Sequence, residues 1–273
     1  MASIKDFVPP IVLETLRNER ARTYSDYAAA AAACAGQGYE QARLVEVVRR
    51  KTEVYRDRMS LAGSMAVDAV VARNLLAIQS AARGGGVTVL DFGGACGTHY
   101  FQARSFFRGD LALRWHVVET PAMAAAGRAT FADGALAFHD DLASAVAAAG
   151  ELDLVFSSSC LQYMPNPYDT LAQLVACRGR MLYVTRVAVS PDDHDLVIVQ
   201  RSRLSANGPG PMPAELGDGE ARYPVTFPVR DRLEATVTES YEIRLAFDEL
   251  KQAHRIGGRS LPGIGFLAQQ RAR

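Results

Sequence analysis

The chain has no surplus of charge: 30 Lys and Arg stand against 30 Asp and Glu in 273 residues. That balance argues against the basic groove of a nucleic-acid binder and against a face made for an anionic membrane. Lys and Arg do gather over 43–58, but Glu and Asp are interleaved with them, which describes a solvated helix face. No apolar run is long enough to span a bilayer. The opening MASIKDFVPP lacks the charged-then-apolar layout of a secretion signal, so the expected setting is cytoplasmic. Cysteine is scarce. Its four copies, Cys34, Cys96, Cys160 and Cys177, lie far apart without the spacing of a metal site, and reduced thiols are expected. There is no internal repeat. What remains is a 49% hydrophobic chain with material for one α/β domain and an appendage.

The most informative stretch is VTVLDFGGACG at 87–97. An apolar run ends in Asp91 and breaks into Gly93, Gly94 and Gly97, which reads as a buried strand followed by a tight turn. Glycine suits such a turn because a Cβ would hold a ligand off the backbone. The helix expected next, THYFQARSFF, points its free N–H groups back at the turn. Strand, turn and helix start make a cradle for a nucleoside-type cofactor. The NAD fingerprint G-x-G-x-x-G fits poorly: Phe92 takes the place of its first glycine, leaving only Gly94 and Gly97.

Before that stretch the pattern is helical. Helices are expected over 11–18, from a Ser25 cap through the alanine run to Gly36 and Gly38, over 41–58, and over 67–82. With no strand pattern there, residues 1–83 form an expected helical cap or lid, and 84–273 a cofactor-binding domain. From 87 onward strands and helices alternate, the sign of a parallel sheet with crossover helices. Strands are expected at 87–90, 115–118, 135–138, 154–157, 181–185, 241–247 and 264–270, with an added edge strand at 196–200. Helices are expected at 99–107, 122–131, 142–149 and 167–176. The Gly- and Pro-rich 207–219 reads as a mobile flap or as disorder.

Ligands of open parallel sheets bind at the carboxyl ends of the strands. After the second strand comes Glu119, whose two oxygens can each accept from a ribose hydroxyl. After the third come Asp140, suited to an exocyclic amine, and Asp141, a helix N-cap. Small residues follow the fourth, in SSSCLQYMPNP, with Tyr163 close behind. Each acid alone reads as an ordinary surface or capping residue; the series of glycine turn and successive acids points to a nucleoside site. Asp91, the acid after strand three and the closing strand pair fit S-adenosylmethionine (SAM) better than NAD. His99 reads as capping or packing, Cys96 and Cys160 as packing, and Tyr24, Tyr27 and Tyr39 as aromatic packing between front helices.

These residues resemble class I SAM-dependent methyltransferases, and within them a family of unassigned substrate. The resemblance rests on LDFGG at 90–94, YFQ-x-R at 100–104, W-x-VVE at 115–119, LQY-x-x-x-P at 161–167, Tyr223–Pro224, and Tyr24 with Gly38–Tyr39. It implies a Rossmann-like, doubly wound, mostly parallel seven-stranded sheet with an amino-terminal helical cap. It also implies that Asp91, Gly93 and Gly97 hold the methionine part of SAM, Glu119 the ribose and Asp140 the adenine amine. Ser158 would bring its backbone to the cofactor, Tyr100 and Gln102 would reach the amino-acid tail, and Tyr163 would face the sulfonium. Ser190 would orient the amine or carboxylate, with Tyr163 the other residue expected at the chemistry. Arg186 would pair with a carboxylate, a surface salt bridge being its plainer role. Thr185 and Ala188 depart from the family's Asp and Pro.

More narrowly the chain looks like the members that cyclise SAM to azetidine-2-carboxylate and release methylthioadenosine. The alternatives are a small-molecule O- or N-methyltransferase and a non-catalytic methyltransferase-like binding protein. The expected partner is a small molecule, with no metal, nucleic acid or membrane.

Overall fold

The computed structural model describes residues 21–35, 38, 41–61 and 67–272. The expected helix over 11–18, Gly36 and Tyr39 lie outside the described residues. A two-residue strand β1 (Thr23–Tyr24) comes first, then helices α1 (Tyr27–Ala33), α2 (Ala42–Leu61) and α3 (Ala69–Ala81). Alternation follows: β2 (Gly86–Phe92), α4 (Thr98–Phe107), β3 (Ala112–Val118), α5 (Pro121–Thr130), β4 (Leu136–His139), α6 (Leu142–Ala149), β5 (Leu154–Ser158), α7 (Pro167–Ala176) and β6 (Met181–Ala188). The chain closes with β7 (Leu196–Arg203), β8 (Glu220–Phe227), α8 (Arg230–Thr238), β9 (Tyr241–Ile256) and β10 (Arg259–Gln270). No helix among the described residues is long and apolar enough to cross a membrane.

The main sheet has seven strands in the order β4-β3-β2-β5-β6-β10-β9. Strands β2 to β6 run parallel, and β10 and β9 close the sheet antiparallel. Its strands alternate between two cores, as period-two side chains must. Val87, Val89, Leu154, Phe156, Met181 and Tyr183 join the cluster under α2 to α5. Leu90, Val155, Leu182 and Val184 join the cluster under α6, α7 and α8. Both faces are therefore covered by helices, the doubly wound arrangement. Strand order reverses at β2 and β5, so β2 pairs with β3 on one side and β5 on the other. That switch point is where such sheets leave a crevice at the strands' carboxyl ends.

The structure corrects several expectations. The front segment carries a strand after all: β1 pairs with β7 at Thr23–Ile198 and Tyr24–Val197. Strand β7 is not an edge of the main sheet; with β1 and β8 it forms a separate three-stranded antiparallel sheet. Strand β8 and helix α8 were not expected. Helix α1 is capped by Asp26, which accepts from the Ala29 N–H at 2.8 Å, while Ser25 only donates to Asp26. Helices α2 and α3 share one apolar cluster with α4 and β2.

The Gly- and Pro-rich 207–219 is pinned at both ends. Asp218 accepts from the backbone N–H groups of Ser205 and Gly219 and from the Arg203 guanidinium. Lys51 on α2 is almost wholly buried and donates to the carbonyls of Ser205 at 2.6 Å and Asn207 at 2.7 Å. Burial pushes its ammonium down from the ordinary lysine range, with Asp218 opposing. A buried ammonium is tolerated only when its hydrogens are used, so this bond pair ties the loop to α2. Lys51→Met keeps the apolar stem and strands two carbonyls. We expect it to cost about 1–3 kcal/mol in urea unfolding and to speed amide exchange over 204–209; unchanged exchange there would show that the loop is held by other contacts.

Candidate functional site

A cavity of about 540 Å³ opens at the carboxyl ends of β2 and β5. Its floor is the glycine turn (Gly93, Gly94, Ala95) and the start of α4 (Thr98, His99, Gln102), with Ser158, Ser159 and Tyr163 beside it. Arg186 comes from the end of β6, and Gln200, Ser202 and Tyr223 come from the small sheet. The amino end of α3 (Asp68, Val70, Val71, Asn74) and the loop 206–209 complete it.

The turn is built without Cβ atoms where they would not fit. Gly93 has φ +76, and a Cβ there would lie 2.4 Å from Cys160 Sγ. A Cβ on Gly94 would lie 2.5 Å from Asp91 Oδ2. Gly97, with φ +84, is the N-cap of α4, and its N–H closes the turn on the Gly94 carbonyl at 2.9 Å. Beneath the turn Asp91 is fully buried. Its Oδ2 accepts from Trp115 Nε1 at 3.1 Å and faces His99 Nδ1 at 3.0 Å. Against a carboxylate that only accepts, Nδ1 would be the ring nitrogen that carries the hydrogen.

Four cavity residues keep a buried polar atom without a hydrogen-bond partner: Asn74 Oδ1, Gln102 Oε1, Ser158 Oγ and Arg186 Nε. Gln102 uses its other end to donate to the Tyr55 hydroxyl at 3.1 Å. No carboxylate among the described residues lies within ion-pair distance of Arg186. Backbone strain gathers here as well. Of the six described non-glycine residues with left-handed φ, three (Ala95, Ser159 and Arg186) line the cavity. Each such residue costs on the order of 1–3 kcal/mol. Arg186 is held in that conformation by Gln162 Nε2, which donates to its carbonyl at 3.2 Å.

Tyr163 stands edge-on to Tyr223, with ring centroids 5.3 Å apart. Tyr27 from α1 donates to its carbonyl at 2.9 Å. Burial pushes the Tyr163 phenol up, and Arg186 pulls it back.

Of the expected site residues, Gly93, Gln102, Ser158 and Tyr163 meet in this cavity. The others are placed differently. Asp91 is turned under the turn, not into the cavity. Tyr100 points the other way, edge-on to Trp115, and its hydroxyl donates to Asp133 at 3.3 Å. Glu119 lies behind the turn. Its carboxylate accepts from the Ala95 N–H at 3.0 Å and the Thr120 N–H at 2.9 Å. Burial raises its pKa, which those two donors oppose. Asp140 is exposed at the tip of β4, 3.4 Å from Arg128. Asp141, as expected, caps α6 through the Ser144 N–H. Ser190 is buried away from the cavity, where its Oγ accepts from the Asp192 N–H at 3.1 Å. Thr185 donates to the buried Glu249 at 2.5 Å, and Glu249 also pairs with Arg73. His99, Arg186, Asn74, Gln200 and Asn207 also line the cavity, beyond the residues expected there. A polar residue directly after the glycine turn was the available signal for His99.

No protein-family model and no curated protein sequence matches the chain. Similar solved structures include a SAM-dependent methyltransferase from Clostridium acetobutylicum, at 10% identity, covering 82% of this chain and 99% of that one, with TM-score 0.48. The CcbJ methyltransferase from Streptomyces caelestis is similar at 12% identity over 76% of this chain and 97% of that one, with TM-score 0.49. Magnesium protoporphyrin IX methyltransferase from Synechocystis, solved with bound SAM, is similar at 12% identity over 84% and 97%, with TM-score 0.46. No residue assignment rests on these likenesses.

The turn makes a stability prediction. Gly109 also has positive φ, +93, but open space around its Cβ position. Gly109→Ala therefore pays only the backbone cost, roughly 1–2 kcal/mol, while Gly93→Ala adds a collision with Cys160. Denaturant unfolding is expected to rank Gly93→Ala clearly below Gly109→Ala, and equal midpoints would show that the turn can move off Cys160.

Proposed function

We propose that the chain is a SAM-consuming enzyme acting on a small molecule. The observation that carries this reading is the polar lining at the switch point. Four buried polar atoms lack partners beside a glycine turn whose Cβ positions are blocked. The cavity is lined by polar side chains, Asn74, Gln102, Ser158 and Arg186 among them, at the crevice where doubly wound sheets take their ligands.

The strand order supports a direction for the ligand. β4, β3 and β2 are neighbours, so Asp140, Glu119 and the glycine turn follow one another along the sheet edge. Asp140 would take the adenine amine and Glu119 the ribose, since a carboxylate oxygen bound to one backbone N–H keeps a lone pair for a hydroxyl. The turn and the free N–H groups of α4 would hold the methionine tail, with Gln102 reaching it. Ser158 and Tyr163 would lie beside the sulfonium. SAM supplies an electrophilic carbon on a positive sulfur; the protein orients the attacking atom and excludes water.

The cavity favours transfer of a methyl group to a second molecule. Its volume is already that of a whole small-molecule site, ~300–1,000 Å³, although the nucleoside acids Glu119 and Asp140 lie outside it. Space running on to Gln200, Ser202 and Asn207 is more than a methionine tail alone needs. Arg186, with no acid at ion-pair distance among the described residues, suits an acceptor that carries a carboxylate. Ring closure of SAM to azetidine-2-carboxylate is the second reading. Tyr163, the residue expected to shape the tail, does line the cavity.

Incubation of the purified protein with SAM alone separates the two. Azetidine-2-carboxylate formed together with methylthioadenosine, with no acceptor added, means ring closure; S-adenosylhomocysteine formed only when a small acid is added means methyl transfer. No binding of SAM in calorimetry and no product under either condition would end the SAM reading. Glu119→Ala should weaken SAM binding by about tenfold or more, since ribose hydroxyls and two backbone N–H groups lose their acceptor; unchanged affinity would remove Glu119 from the ribose.

A further inference from the structure

We propose, resting on the SAM-consuming reading above, that His99 is the proton acceptor of this cavity, held in place by Asp91. His99 lines the cavity, and its ring packs on Phe156 with centroids 4.8 Å apart. Its Nδ1 sits 3.0 Å from Asp91 Oδ2 and 3.3 Å from Oδ1. The carboxylate is in turn fixed by Trp115 Nε1 at 3.1 Å and is wholly removed from solvent. This is the arrangement in which a carboxylate fixes the tautomer of an imidazole. With Nδ1–H donated inward, the basic lone pair is on Nε2, which has no partner among the described residues.

The reaction needs such a group. A hydroxyl becomes a strong enough nucleophile as its proton leaves, and an ammonium has no lone pair until it has lost a proton. With a hydroxyl, His99 Nε2 takes that proton while the bond from nucleophile to carbon forms and the carbon–sulfur bond breaks, its electron pair passing to sulfur. In ring closure His99 first takes a proton from SAM's own ammonium, and the freed amine then attacks Cγ, its nitrogen taking the positive charge that sulfur loses. In methyl transfer from a hydroxyl acceptor the sulfonium's charge is replaced by that of the imidazolium, in ring closure the imidazolium takes the ammonium's charge, and Asp91 stabilises it in both. The titratable groups around His99 are Asp91 beneath it and Glu119 behind Asp91. Cys160 lies in the turn after β5, and Tyr163, Arg186 and Asp68 share the cavity. Cys160 and Tyr163 are pushed up by burial, so they are poor acceptors in place of His99.

Two measurements test this. The chain has five histidines, so the ring nitrogens of His99 can be assigned in a ¹⁵N spectrum by their loss in His99→Gln. The expected signal is hydrogen on Nδ1 and a bare Nε2; hydrogen on Nε2 would overturn the proposal without reference to activity. His99→Gln should keep SAM affinity within about threefold while turnover falls by about 100-fold or more. In His99→Ala, added imidazole should restore part of the turnover, with the pH profile of imidazole. Wild-type turnover in His99→Gln, or loss of turnover with no rescue and an unchanged pH profile, would make His99 structural. Asp91→Asn should lower turnover and shift the tautomer signal together. If the wild type neither binds nor consumes SAM, the functional reading above fails instead, and the tautomer measurement still decides whether Asp91 holds the imidazole as described.

Discussion

A buried carboxylate under a glycine turn is the constraint on which the site depends. Asp91 has no solvent, and an unpaired charge there would cost several kcal/mol. Trp115 from β3 and His99 from α4 supply its hydrogen bonds, so three elements must meet for the charge to be satisfied. The turn above must then pass over the carboxylate closely, and only a residue without a Cβ can do so at 94. Strand end, turn and helix start are thereby locked to one another. His99 is aimed as a consequence of how Asp91 is buried.

The sheet was legible because its determinants are local and periodic. Alternating apolar residues fix which face each strand gives to each core, and Gly93 and Gly97 mark positions that need left-handed backbone. The small sheet was not legible, since β1 has two residues and finds its partner more than 170 positions away. Strand β8 carries Pro224, which argues against a central strand and is tolerated here beside an edge-like ribbon. Site residues divided along the same line. Gln102 and Tyr100 were both expected at the amino-acid tail, yet residues two apart on a helix do not share a face. One of them had to leave the cavity, and the apolar cluster around Trp115 took the tyrosine. Glu119 and Asp91 stand at the expected strand ends, but their carboxylates turn onto donors behind and beneath the glycine turn. Spacing along a strand gives position at the sheet edge, while the donor that turns a carboxylate belongs to a neighbouring strand.

The cavity is kept open at some cost to stability. Unpaired polar atoms on Asn74, Gln102, Ser158 and Arg186, and strained backbone at Ala95, Ser159 and Arg186, all oppose folding. They are offset by the two cores and by ties such as Lys51 to the 204–209 region. The same ties explain why the front of the chain matters to the site. α3 brings Asn74, α2 brings Tyr55 to Gln102 and Lys51 to the loop, and α1 brings Tyr27 to Tyr163. These helices reach a cavity that the main sheet alone would leave open on one side.

The charge balance of the reaction explains why proton removal outweighs any aromatic contact in such a site. An aromatic face near a sulfonium is worth about 0.5–2 kcal/mol, but the sulfur loses its charge as the bond breaks. That contact therefore holds the starting state more tightly than the transition state and adds no rate. Tyr163 can shape the bound ligand and exclude water without driving the step. A base gains as the reaction proceeds, because its positive charge grows while that of sulfur fades. A buried carboxylate already facing the imidazole needs no reorganisation to stabilise that charge. On the proposed reading, rate would come from His99 on the cavity wall with Asp91 beneath it, and the Tyr163 and Arg186 side would choose the molecule held there.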